Sequence, residues 1–210
     1  MKVFITRLIP SIGIELLKKK GFEVSVYKKD NPIPRKELLR QARDCDALIP
    51  LLSDRIDKEV IDKMKPCKVI ANYAVGFNNI DVDYAKSKGI IVTNTPDVLT
   101  DSTADLAMAL VLACARRITE AEKFIRDKKF VGWKPQLLLG MELRNKYFGI
   151  LGAGRIGTET AKRACAFGCK ILYYSNSTNK FLETKLNAKK LTLSSILKKS
   201  DILSIHLPLN

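Results

Sequence analysis

One stretch constrains the fold of this chain more than any other: KYFGILGAGRIGTETAKRACAFGCKILYYSNS, residues 146–177. A β-rich run leads directly into Gly152-Ala153-Gly154-Arg155-Ile156-Gly157, a helical run follows, and a second β-rich run closes the unit. A lone G-x-G-x-x-G says little, but between a strand and a helix it has the context its mechanism requires. Gly152 permits a tight turn, Gly154 lets a pyrophosphate approach backbone amides, and Gly157 lets the helix pack against the strand. The helix N-terminus, with Arg155 and Ile156 in its first turn, supplies free N–H groups and partial positive charge to a phosphate. The bland alternative is a glycine-rich turn without a ligand.

The end of the second strand selects between dinucleotides. NAD sites place an Asp or Glu roughly twenty residues beyond the first glycine, where it holds the ribose 2′-hydroxyl. Here the chain reads Tyr174-Ser175-Asn176-Ser177-Thr178-Asn179-Lys180. No carboxylate stands there to repel a 2′-phosphate, while hydroxyls, amides and the Lys180 cation can receive one. The expectation is NADP, with NAD possible because no arginine fork is present.

The first hundred residues alternate strand-like and helical periods. KVFIT, FEVSVYK, CDALIPLL, CKVIANYA and IIVTNTP are strand-like, and helical runs of about ten residues separate them. Such alternation implies crossover units and a parallel sheet covered on both faces. At NTPDVLTDSTAD the character changes. Residues 102–127 contain neither proline nor glycine and read as one helix, N-capped by Asp101 or Ser102 and apolar nearly all round in its first half. Trp133 falls in an irregular loop and reads as a hydrophobic plug. The expected architecture is α/β: a flavodoxin-like domain over residues 1–98, then an incomplete Rossmann dinucleotide-binding domain over residues 99–210.

The formal net charge of +15 raises nucleic-acid binding as a possibility. The cations are dispersed in ELLKKKG, YKKD, RDKKF, NAKK and LKKS, at or just beyond helix ends, and no aromatic residues interleave them. Solvated helix faces are the expected reading, with no nucleic-acid partner. Five cysteines form no C-x-x-C pair, which points to buried free thiols in a reducing cytoplasm. A single histidine, His206, leaves little for a zinc site, so no metal is expected. Arg7 and Pro10 interrupt the apolar N-terminus, which reads as neither a signal peptide nor a membrane span.

Four stretches together resemble the D-isomer-specific 2-hydroxyacid dehydrogenases, most closely their archaeal glyoxylate and hydroxypyruvate reductase branch. They are ANYAVGFNNIDV (71–82), GIIVTNTPDVLTDSTADLAMALVLACARR (89–117), GILGAGRIGTETAKRACAFGCKILYYS (149–175) and SDILSIHLPLN (200–210). The resemblance implies a two-domain reductase of a small 2-oxo acid, with NAD(P)H as hydride donor, acting as a homodimer through the coenzyme domain and the Trp133 region. It places Ala74, Val75 and Gly76 at the substrate carboxylate, through backbone amides, and Leu52 and Ser53 at the substrate cleft. The Ala74–Gly76 stretch also reads as a plain strand-to-helix turn. Asn78 stands where relatives commonly have Asp. The resemblance puts Thr103, His206 and Pro208 near the coenzyme, although helix capping explains Thr103 equally well and His206 could simply close a strand.

In the family, an arginine grips the 2-oxo acid and a glutamate-held histidine supplies the proton. Their motifs follow the stretch matching SDILSIHLPLN, so no catalytic residue is expected within these 210 residues. The chain therefore reads as a truncation that is inactive by itself. Only KYFGIL, KILYYS and DILSIHL are expected as Rossmann strands, with KYFGIL left at a bare edge. The alternatives are a phosphoglycerate- or lactate-type dehydrogenase and a non-catalytic dinucleotide-binding module.

Overall fold

The computed structural model of the chain describes residues 1–208; Leu209 and Asn210, which end the fourth resembling stretch, lie outside the described residues. The chain divides into two compact units, Met1–Asp97 and Val98–Pro208.

In the first unit, β1 (Lys2–Ile5), α1 (Ser11–Lys19), β2 (Glu23–Val26), α2 (Arg35–Gln41), β3 (Ala47–Ile49), α3 (Lys58–Lys63), β4 (Val69–Ala71), α4 (Val82–Ser87) and β5 (Ile91–Thr93) follow in order. The strands form one parallel sheet in the order β2-β1-β3-β4-β5. Because successive strand side chains face opposite ways, each strand feeds two cores. Phe4, Leu48 and Ile70 pack on one face with Leu38, Val60, Ile61 and Met64 from α2, α3 and the turn after it. Val3, Ile5 and Ala47 pack on the other face with Ile14 and Leu17 of α1. Asp57 and Asp81 cap α3 and α4 by accepting the Val60 and Tyr84 N–H groups. The strand order reverses direction between β1 and β3. In sheets of this kind, the loops at the carboxyl ends of the strands flanking that reversal form the ligand crevice.

The second unit holds α5 (Thr100–Ala115), α6 (Ile118–Arg126), β6 (Tyr147–Leu151), α7 (Arg155–Ala166), β7 (Lys170–Tyr174), α8 (Lys180–Leu186), β8 (Lys189–Lys190), α9 (Leu193–Lys199) and β9 (Ile202–Ile205). Its parallel sheet runs β8-β7-β6-β9. Phe148, Ile150, Ile171 and Tyr173 meet Ala161 and Ala164 of α7 and Met108 of α5 on one face. Leu151 and Leu172 meet Ile196 of α9 on the other.

Several expectations are corrected here. The strand KYFGIL is not at a bare edge: β6 sits between β7 and β9, and among the described residues the edges are β8 and β9. The fourth strand, β8, comes from the NAKK run, which reads from sequence as a charged helix end; two lysines suit an edge strand. The helix expected over 102–127 is two helices. The Ala115 carbonyl, which a continuous helix would offer to residue 119, instead accepts the Met141 N–H at 2.7 Å. Arg117 then turns left-handed, at φ 54°, and α6 begins after it. Nor do Asp101 and Ser102 cap the helix: α5 starts at Thr100, and both lie inside its first turn. Leu106 and Leu110 of α5 are exposed rather than buried, as is Trp133, at 81%. Cys45, Cys67 and Cys169 are buried as expected, but Cys165 is only half-buried and Cys114 is exposed.

Candidate functional site

In the second unit, β6 runs into a loop whose three glycines each meet a distinct constraint. Gly152 has φ +93°, and a Cβ there would lie 2.4 Å from the His206 carbonyl oxygen, so only glycine fits between the ends of β6 and β9. A Cβ on Gly157 would lie 2.1 Å from the Gly152 carbonyl oxygen, which fixes how closely α7 approaches the loop. Gly154 differs from both. It caps α7 in an extended conformation, and a Cβ there would meet nothing within 4 Å. Open space at a helix N-terminus, beside amides that have no partner within the helix, is the shape a diphosphate needs. Arg155 and Ile156 open α7 directly behind it.

The strand β7 ends beside this loop, and the Gly152 N–H donates to the Tyr174 carbonyl at 2.9 Å. Ser175 is half-buried, and Asn176, Ser177 and Lys180 are exposed. The first carboxylate after β7 is Glu183, which accepts the Tyr173 hydroxyl at 2.7 Å. The expected 2′-phosphate side of the site is therefore lined by neutral and cationic groups.

His206 continues past β9, and its N–H donates to the Leu151 carbonyl at 2.7 Å. Its Nε2 lies 2.8 Å from Ser204 Oγ, and burial holds its pKa below the usual histidine range. Its carbonyl is the group that crowds Gly152, so the residue adjoins the glycine loop through its backbone. Pro208 is exposed two residues further on. Thr103 is half-buried in the first turn of α5, where its N–H bonds to Leu99 O at 2.9 Å.

In the first unit, the loops after β3 and β4 are tied into one network. Leu52 and Ser53 are exposed, and the buried carboxylate of Asp54 organises the turn they form. Asp54 accepts the Thr6 hydroxyl at 2.5 Å, the Leu51 N–H at 2.9 Å and the Ser53 hydroxyl at 3.3 Å. Arg7 Nη2 donates to the Ser53 hydroxyl at 2.8 Å. After β4, the three carbonyls of the Ala74–Gly76 loop are all occupied. Ala74 O accepts the Thr95 N–H at 2.9 Å, Val75 O the Asn94 amide at 2.8 Å, and Gly76 O the Asn72 amide at 2.7 Å. No acceptor among the described residues takes the N–H groups of Ala74, Val75 or Gly76. Carbonyls fixed from behind and amides left free make an anion-binding concavity. Asn79 joins the two loops, donating to Leu51 O at 3.1 Å and Asp54 O at 3.2 Å.

The sequence and the family resemblance name the glycines and the Ala74–Gly76 loop as candidates but do not name Thr6, Asp54, Asn72, Asn79 and Asn94, whose bonds hold the first unit's loops in place. The available signal is asparagine directly after strands, at Asn72 and Asn94, and again at Asn78-Asn79 in the loop before α4. Sequence reasoning includes Asn179 only in the segment after β7 and misses its side-chain bond to the Ala153 carbonyl of the glycine loop.

The sequence pattern of the D-isomer specific 2-hydroxyacid dehydrogenases, in its catalytic-domain form, matches residues 3–199. The glyoxylate reductase of Thermococcus litoralis is 48% identical over 212 residues, which is 99% of this chain and 64% of that protein. The TT0316 protein of Thermus thermophilus superposes with a TM-score of 0.94 at 42% identity, covering 100% of this chain and 66% of that one. The D-lactate dehydrogenase of Aquifex aeolicus, solved with NAD and lactic acid, superposes with a TM-score of 0.85 at 27% identity, covering 100% of this chain and 61% of that one. The chain thus spans a little under two thirds of the length of these relatives. The chain belongs to the D-isomer-specific 2-hydroxyacid dehydrogenase family.

Proposed function

We propose that this chain supplies the substrate-carboxylate loop and the coenzyme-binding half of a reductase that converts a small 2-oxo acid, glyoxylate or hydroxypyruvate, to its 2-hydroxy acid. The observation that carries this reading is the open Gly154 cradle at the start of α7, flanked by two glycines that have no room for a side chain. The coenzyme, when bound, supplies the hydride. The chain's own part is binding and orientation. Gly152, Gly154 and Gly157 shape the diphosphate turn, and the first amides of α7 face the phosphates. Ser175, Asn176, Ser177 and Lys180 receive the ribose end; with no carboxylate among them, NADP is preferred to NAD. Thr103, His206 and Pro208 are assigned to the coenzyme by the family resemblance, and for His206 the shared edge with Gly152 supports it. In the first unit, the Ala74, Val75 and Gly76 amides receive the substrate carboxylate, and Leu52 and Ser53 border it.

The resemblance gives substrate clamping and proton donation to an arginine, a glutamate and a histidine in motifs that residues 1–210 do not contain. The chain alone is therefore proposed to bind coenzyme without turnover. For the whole protein we propose a cytoplasmic homodimer, and the exposed apolar side chains of Phe130, Val131 and Trp133 offer it a surface. No helix among the described residues is long and apolar enough to cross a membrane. The test is a fluorescence titration of the chain with NADPH and NADH, followed by a glyoxylate assay. Saturable binding that is tighter for NADPH, without glyoxylate-dependent oxidation, is expected. Robust turnover, or no binding of either nucleotide, overturns the reading.

A further inference from the structure

Asn179 lies outside the glycine motif, within the segment read as the 2′-phosphate side, yet its side chain bonds to the glycine loop and to α7. Its Nδ2 donates to the Ala153 carbonyl at 3.0 Å and to Thr158 Oγ1 at 2.8 Å. Its Oδ1 accepts the Leu182 N–H at 3.1 Å and so caps α8. That cap fixes the orientation of the amide, because only the oxygen can accept the Leu182 N–H. The backbone is held as well: the Asn179 N–H donates to the Tyr173 hydroxyl at 3.1 Å, and that hydroxyl donates to Glu183 at 2.7 Å. Every polar atom of the Asn179 side chain is thus committed, with two of its three bonds crossing to the glycine loop and α7.

The bond to Ala153 bears directly on the cradle. Ala153 C=O and Gly154 N–H belong to one planar trans peptide and point in opposite directions. Holding the carbonyl against Asn179 therefore aims the Gly154 N–H away from it. The bond to Thr158 holds the next turn of α7 to the same anchor. We propose that Asn179 is a positioning residue for coenzyme binding: it sets the direction of the Gly154 N–H and ties the phosphate loop to the segment that follows β7. The proposal rests on the coenzyme reading above.

Two substitutions separate this role from helix capping. Asn179→Ser keeps an N-cap oxygen for α8 but cannot reach Ala153, whereas Asn179→Ala removes both functions. Each is compared with the unsubstituted chain by thermal melting, by NADPH and NADH titration, and by hydrogen–deuterium exchange over residues 151–158 without nucleotide. In the expected result, Asn179→Ser melts close to the unsubstituted chain and Asn179→Ala melts lower. Both bind NADPH and NADH about tenfold more weakly, as the loss of a positioned hydrogen bond implies, and both exchange about tenfold faster at Thr158, whose N–H donates to Gly154 O at 2.9 Å. If Asn179→Ser keeps full affinity and slow exchange while Asn179→Ala loses them, Asn179 is only a cap and the proposal falls alone. If the unsubstituted chain binds neither nucleotide, the coenzyme reading falls and takes the proposal with it.

Discussion

Each unit carries a tightly held loop at the carboxyl end of a parallel strand, and the two are built in opposite ways. In the second unit the loop is shaped by missing side chains. Gly152 and Gly157 sit where a Cβ would strike backbone atoms at 2.4 and 2.1 Å, and Gly154 leaves the cradle open. In the first unit the loop is shaped by added side chains. Asn72 and Asn94 reach in to take the carbonyls of Gly76 and Val75, and Asn79 ties that loop to the one after β3. Either method fixes the direction of the backbone amides, which an anion-binding loop requires. A loop built from glycine depends on local sterics, while a loop built from asparagine depends on residues far apart in the chain.

That difference sets the size of each expected effect. The largest is for Gly157→Val. The backbone atom it strikes cannot swing aside, so the second unit should lose on the order of 3 kcal/mol, with all nucleotide binding. Melting followed by a signal from that unit measures it. A variant that melts like the unsubstituted chain would show that the loop is not sterically determined.

Next in size is Asn72→Ala in the first unit. Asn72 is 1% exposed and donates to both Gly76 O and Asn79 Oδ1, so its loss leaves two acceptors short of a donor. A cost of about 1–3 kcal/mol is expected, confined to the first unit. Nucleotide titration should be unchanged, since every bond named in this network lies within the first unit. Weakened NADPH binding in a folded Asn72→Ala chain would break the proposed independence of the two loops.

The smallest effect concerns His206. Burial lowers its pKa in the folded chain, so below about pH 6.5 the unfolded chain binds more protons than the folded one. Stability should therefore fall as the pH drops through that value, by less than ~1 kcal/mol for a single half-buried group. His206→Gln should flatten the dependence between pH 6.5 and the lowered folded value. An unchanged pH profile in the variant would assign the effect to other groups.

The same contrast explains what is legible in the sequence. The alternation of strands and helices, the tight turn at Gly152 and the close packing at Gly157 are local patterns, and each appears in the structure at its expected place. The break between α5 and α6 is not legible, because the Met141 N–H that ends α5 comes from 26 residues beyond Ala115. The strand β8 is only two lysines long and carries no β-rich signature, so the sequence hides both it and the edge position of DILSIHL. Trp133 reads as a plug from its size alone and is exposed at 81%. The asparagine network is hidden for a related reason: Asn79 bonds to Leu51 and Asp54 across 28 and 25 residues, which no local pattern records.

The central claim is that the Gly152–Gly157 loop is a diphosphate cradle rather than a structural turn. Gly154→Ala tests it most directly, because the added methyl group meets nothing within 4 Å and projects into the open space that the account assigns to a phosphate. NADPH is titrated into this variant and into the unsubstituted chain, with melting recorded for both. The account predicts matching melting temperatures and an affinity at least about tenfold weaker in the variant. Equal affinities in two equally stable chains would contradict it.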